Sequence, residues 1–274
     1  MLISGSVGYV YLEKDNKKVL VLSDIHDGPE YCTSDSIMIQ DFLKMKSITN
    51  YTLLEEATPE KRDKLKPLWT GSTHTMGLRD LVIKDKNIVP VDIRPLLLPF
   101  SWELMNQKET YKLIKLHEYL NLVDYFFKGR GLVWKTYIKP YISKMDLKEK
   151  EKLISHLQDI CNIYKQFIKN NPNNKIEYYY NNKMSKLKEL NDIVSYIMEW
   201  YSLFLILNNP KNSMIHLGLA HSERLVFNLN QIYEYNIIEQ QGVVKMKQIN
   251  DNIKACINVD TLNNKFNKKY SLYY

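Results

Sequence analysis

Asp24 and His26 stand two apart where the apolar run Val19-Leu20-Val21-Leu22 gives way to Ser23 and then to Asp27-Gly28. Residues two apart on an extended chain point to one side. A carboxylate and an imidazole leaving a strand together suit metal ligation or acid–base work. A turn accounts for Asp27-Gly28 but gives no reason for an imidazole. Other apolar runs end in the same manner. Tyr51-Thr52-Leu53-Leu54 ends in Glu55-Glu56, and alternation aims one carboxylate toward a shared site and the other away. Ile88-Val89-Pro90-Val91 leads into Asp92 and Arg94, again two apart, and Met214 to Ala220 carries His216 and is followed by His221.

Each of these residues has a structural reading beside the chemical one. Asp24, His26, Glu55, Glu56 and His221 are the candidate catalytic set, with one glutamate as ligand or general base. A solvated strand end explains the glutamates equally simply. Asp24, His26, Glu55, His216 and His221 are the candidate donors for a divalent metal, although a buried strand histidine such as His216 is as readily a core residue. Arg94 is suited to hold a substrate carboxylate or phosphate, or else to pair with Asp92. Arg224 is a second candidate anion contact. His74, in the loop-like Ser72-Thr73-His74-Thr75, is either a substrate contact or surface. His117 and His156 fall inside helical patterns and read as structural or surface residues.

The elements that must position these groups follow from hydrophobic periodicity. Residues 6–12 and 18–24 flank Glu13-Lys14-Asp15-Asn16-Lys17 as a hairpin leading into a central strand. Ser34 or Asp35 is placed to cap a helix carrying Ile37, Ile39, Phe42 and Leu43. A strand at 51–54, a loop over 60–75, a short helix from Leu78 to Ile83 and a strand from Ile88 to Pro95 complete a strand–helix alternation. That order predicts parallel pairing with crossovers. Helical stripes then cover 108–128, 147–170 and 184–208, with Asn170-Asn171-Pro172-Asn173-Asn174 as a break. The chain returns to a strand at 214–220, and Gly218 permits close backbone approach. A helix begins near His221, with Ser222 as its expected cap, and runs to about Tyr233. A last strand is expected at 236–238.

The expected fold is therefore α/β: a central parallel or mixed sheet flanked by helices, with a large all-helical insertion. One domain spans 1–274, with the sheet scaffold at 1–107 and 211–262, the insertion at 108–210 and a loose tail at 263–274. Ligands of open parallel sheets bind beyond the carboxyl ends of the strands, which is where these polar clusters fall.

A chain of 274 residues with 45% hydrophobic and 25% charged residues suits a globular protein that buries a substantial core. The net charge of +7 is spread along the chain and carried mostly by lysine; Arg62, Arg79, Arg94, Arg130 and Arg224 are its only arginines. Arginine is the principal base-reading side chain, so sequence-specific nucleic-acid binding is not expected. A small molecule or peptide is the expected partner. Cys32, Cys161 and Cys256 are odd in number and widely spaced, which suggests neither a disulfide framework nor a zinc ribbon and favours a reducing, cytoplasmic location. No signal peptide is visible at the start, and Leu203 to Leu207, the longest apolar run, is too short for a membrane span. CxxC, HExxH, Walker A, GxGxxG and GxSxG motifs are all absent.

Two families share features with these segments. Val19 to Gly28 resembles the opening strand-DxH motif of calcineurin-like metallophosphoesterases. That family's GD, GNH[DE] and GHxH motifs have no counterpart, since no Asn-His occurs and the late element is Gly218-Leu219-Ala220-His221. The chain more fully resembles the superfamily that groups TIKI-type proteases, erythromycin-esterase-like enzymes and ChaN-like haem-binding proteins. Its pattern is an acidic-x-His or GxxH motif at the first strand end, a Glu at the second and a late GxxH. Here these are Asp24-Ile25-His26, Leu54-Glu55 and Gly218-Leu219-Ala220-His221, with Ser23-Asp24 where the group often has Gly-Glu. This resemblance implies a hydrolase, metal-dependent or His/Glu-assisted, with its pocket at the strand ends. The alternatives are a phosphoesterase using the DxH motif and a non-catalytic binding protein. The chain, including Val91-Asp92-Ile93-Arg94-Pro95, also resembles proteins of large eukaryotic DNA viruses. That implies a viral protein in the infected-cell cytoplasm or the virion.

Overall fold

Lys14 and Lys17 pair across a two-residue turn in which Asp15 has a φ of 52°. Aspartate tolerates this left-handed geometry, which matches the twist of a tight hairpin. The turn joins β2 (Gly8–Lys14) to β3 (Lys17–Asp24) in antiparallel register. The structure, a computed structural model, describes residues 1–25, 30–55, 57–59, 73–85, 87–97, 115–175 and 184–262. His26, Glu56, residues 60–72 of the loop predicted over 60–75, the start of the first helical stripe and the tail lie outside the described residues.

The chain forms two compact units, one of Met1–Glu55, Gly71–Val89 and Pro210–Tyr274, the other of Glu56–Thr70 and Pro90–Asn209. The fold is mixed α/β, with two mixed sheets flanked by helices. The larger sheet has the strand order β7-β6-β8-β3-β2-β9. Its centre is parallel: β8 (Ser213–Gly218) lies between β3 and β6 (Tyr51–Leu54). Val19 to Leu22 and Met214 to Leu217 are buried throughout, as expected of central strands covered on both faces. β9 (Asn236–Gly242) extends the sheet antiparallel to β2 and is longer than the predicted 236–238. β7 (Ile88–Pro90) is the opposite edge. Among the described residues, three α-helices belong to this unit: α1 (Ile39–Ser47), α2 (Thr73–Lys84) and the helix Leu219–Gln231 that follows β8.

A smaller sheet, ordered β4-β10-β1-β5, was not anticipated. β1 (Leu2–Ser4) pairs antiparallel with β10 (Lys254–Asn258) and parallel with β5 (Ser36–Met38). Ile37 therefore sits in a strand, and α1 begins after Met38 rather than being capped by Ser34 or Asp35. β4 is only Glu30–Tyr31, set against Lys254 and Ala255. The next residue, Cys32, forms a disulfide with Cys256, with Cα atoms 4.9 Å apart. This corrects the reading of three unpaired cysteines. Two are joined across 224 positions and only Cys161 is a free, buried thiol. The cysteine-based argument for a reducing compartment therefore loses its basis.

The second unit is helical where described. Asp146 accepts hydrogen bonds from the backbone N–H groups of Lys148 and Glu149 and so caps a helix over Leu147–Asn170. Its partner helix, Met184–Asn208, contributes Trp200, which is fully buried. The indole Nε1 donates to the Leu153 carbonyl at 2.8 Å, and the ring stacks with Trp134 and Phe204. Trp134–Ile138 is a π-helical turn that ends two residues before Pro140, whose missing N–H removes one regular helical bond. Glu189–Asn208 is the one stretch among the described residues long and apolar enough to cross a membrane. It is 78% buried inside the protein over its most apolar window, as a core helix is.

Candidate functional site

The parallel strands β3, β8 and β6 deliver their carboxyl ends to one edge of the larger sheet. The apolar run of β6 stops at Leu54, and the Glu55 N–H donates to the His216 carbonyl at 3.3 Å. That bond holds Glu55 beside the last residues of β8. Its side chain reaches Gly218, whose backbone N–H donates to Oε2 at 2.8 Å. Gly218 is the N-cap of the helix Leu219–Gln231. A carboxylate from the neighbouring strand thus meets the helix start, where aligned peptide dipoles favour negative charge. Glu55 is 3% exposed.

His221 lies in the first turn of that helix, and its Nε2 is 3.3 Å from Glu55 Oε1. One turn on, Arg224 places Nη2 3.1 Å from His221 Nδ1, the spacing expected of i, i+3 neighbours. The three residues form a chain of contacts from guanidinium to imidazole to carboxylate. The helix begins at Leu219, earlier than predicted, so Ser222 is not its cap. Ser222 Oγ donates to the Leu219 carbonyl at 2.9 Å and lies 2.8 Å from Ser23 Oγ. With the Ser222 proton used on the carbonyl, the Ser23 hydroxyl donates to Ser222. This buried pair fastens the first helical turn to β3 and holds His221 at the strand ends.

Asp24 is 1% exposed and sits in register with Gly218, while His216 lies two residues earlier between Leu22 and Leu54. Alternation puts Asp24 and His216 on one sheet face and Ser23, which meets the helix through Ser222, on the other. His216 is completely buried in mid-strand. Among the described residues no three of His, Cys, Asp and Glu are grouped to hold a metal ion. His221 Nδ1 faces a guanidinium and its Nε2 faces Glu55.

Asp92 and Arg94 do not share a strand face. β7 ends at Pro90, and Asp92 instead takes the Arg94 backbone N–H at 3.1 Å, a local bond that starts a short helix at Arg94–Leu97. The guanidinium then meets the same carboxylate in a fork, Nε to Oδ1 at 2.7 Å and Nη2 to Oδ2 at 3.1 Å, and Arg94 is 2% exposed. Both belong to the helical unit, where this buried pair is a structural anchor. His74 falls within α2 rather than a loop. His26 and Glu56 lie outside the described residues.

The backbone N–H of Gly218 and the Ser23–Ser222 pair do not stand out in the sequence. A strand–glycine–helix order identifies an N-cap glycine, but nothing local reveals which carboxylate will meet it. A separate cleft of about 360 Å³ lies in the helical unit, lined in part by His117, Asp124, Tyr164 and Lys165. Tyr164 donates to Asp124 there at 2.8 Å, and burial followed by that bond raises the Tyr164 hydroxyl pKa.

No family model, curated protein or solved structure matches this chain.

Proposed function

We propose that this chain is a hydrolase in which Glu55 is the general base, held in position by His221, at the carboxyl ends of the parallel strands. The observation that carries the reading is the 3.3 Å approach of His221 Nε2 to Glu55 Oε1, with Glu55 Oε2 held by the Gly218 N–H. Residues 166 positions apart meet where open α/β sheets bind their ligands. The order of Asp24, Glu55 and the Gly218–His221 GxxH also supports kinship with the TIKI, erythromycin-esterase-like and ChaN-like group. In an ester substrate Glu55 takes a proton from water as the water oxygen attacks the acyl carbon. The acyl–oxygen bond breaks, and the proton passes to the departing alkoxide. His221 holds the carboxylate in position through its Nε2.

The test is hydrolysis of an aryl acetate and an aryl phosphate by the full chain, with Glu55→Gln and His221→Asn alongside and metal content measured on the same samples. Positioned acid–base groups contribute about 10²- to 10⁴-fold, and losses of that size on the acetate are expected from both variants. Turnover confined to the phosphate and dependent on bound metal would favour the phosphoesterase reading. Absence of turnover on both substrates would favour a binding protein.

A further inference from the structure

We infer that Arg224 is a positioning residue that fixes the hydrogen-bonding direction of the His221 ring. The inference rests on the Glu55–His221 reading above and deepens it. A guanidinium carries only donors. Its Nη2 lies 3.1 Å from His221 Nδ1, so that nitrogen accepts and the ring hydrogen resides on Nε2. Nε2 in turn lies 3.3 Å from Glu55 Oε1, which accepts. Direction is thus set from one end: Arg224 donates to His221 and His221 donates to Glu55. Removing the Arg224 donor removes this bias toward a hydrogen on Nε2, and a hydrogen on Nδ1 instead would turn a lone pair toward a carboxylate.

The geometry suits a fixed device. Arg224 and His221 are i, i+3 on a helix whose first turn is held to β3 by the Ser23–Ser222 pair. The His221 side chain is only 15% exposed. Arg224 therefore acts through His221, and the group it ultimately orients is Glu55. This differs from a substrate anchor, for which the guanidinium would have to turn away from the ring.

Full-length protein labelled with ¹⁵N-histidine reports both ring nitrogens by long-range ¹H–¹⁵N correlation, with His221 assigned by its loss in His221→Asn. Spectra are taken above the range in which free imidazole titrates. The expected wild-type ring is protonated on Nε2 and bare on Nδ1. Its Nδ1 resonance is expected to shift in Arg224→Met, which keeps the apolar stem, and to return toward the wild-type position in Arg224→Lys, which restores a donor. A wild-type ring protonated on Nδ1 overturns the proposal, as does an Nδ1 resonance that Arg224→Met leaves in place. The wild-type spectrum distinguishes the two ring states even if the methionine variant does not fold, and Arg224→Gln then replaces it. The outcome is separable from the hydrolase reading. The expected ring state with hydrolysis insensitive to Glu55→Gln discards the hydrolase alone, and the converse discards only the role given to Arg224.

Discussion

Replacing Cys256 with serine opens a covalent loop that spans 224 positions. In the chain-entropy description a cross-link restricts the unfolded ensemble by about 2.1 + 1.5R ln n cal/mol/K. A loop of that length gives about 18 cal/mol/K, or about 5 kcal/mol near room temperature. The folded side is affected as well. β4 is two residues long and depends on Lys254 and Ala255 for its pairing, with Cys32 directly after it. Strands this short have little stability of their own. The assay is urea unfolding of the oxidised wild type, the wild type in dithiol reductant, and Cys256→Ser. A denaturant slope of about 3 kcal/mol/M converts 5 kcal/mol into a midpoint shift of about 1.7 M for the unit that contains the sheets. Reductant and substitution are expected to give similar shifts. An unchanged midpoint in reductant would refute the reasoning. So would thiol titration of the unfolded, unreduced chain that finds three free thiols rather than the one expected from Cys161.

Three further outcomes follow from buried contacts. Asp92→Asn removes the anion from a buried guanidinium and is expected to cost about 3–5 kcal/mol by denaturant unfolding; a cost under about 1 kcal/mol would mean the pair is solvated. Trp200→Phe leaves the Leu153 carbonyl without its indole donor and is expected to cost about 1–3 kcal/mol, checked by thermal unfolding, where an unshifted midpoint would count against the bond. Burial first, and the hydrogen bond to Glu239 second, push the Tyr9 pKa up from 10.0 to about 12. A raised folded-state pKa means the unfolded chain sheds its proton first, so the stability Tyr9 contributes is present below pH 10 and is lost as pH rises through about 12. Tyr9→Phe is expected to flatten the decline across that window, and ultraviolet titration of the phenols checks it.

Different parts of the molecule were legible to different degrees, for physical reasons. Val19 to Leu22 and Met214 to Leu217 are continuous apolar runs because strands covered on both faces need no polar alternation, so the central strands were readable. The helices 147–170 and 184–208 announced themselves through apolar spacing that repeats over about four to five turns. β1, β4, β5 and β10 have two to five residues each, and β1 pairs with β10 across some 250 positions. No local pattern encodes such a pairing. Cysteine spacing was silent for the same reason, because Cys32 and Cys256 meet only once that small sheet exists. Asp92 and Arg94 looked like a strand pair until the aspartate side chain captured the Arg94 N–H and turned the backbone. At the candidate site, Glu55 and His221 stood out individually at the ends of apolar runs. Their contact depends on β8 lying beside β6, which only the assembled sheet provides.

Hydrolysis as proposed requires Glu55 and His221 to work as one unit. A double-mutant cycle in kcat/KM for aryl-ester hydrolysis measures this directly, with Glu55→Gln, His221→Asn and the pair combined. Coupled residues predict that the combined variant is no worse than the more damaging single one. Losses that multiply, or variants that hydrolyse the ester as fast as the wild type, would contradict it.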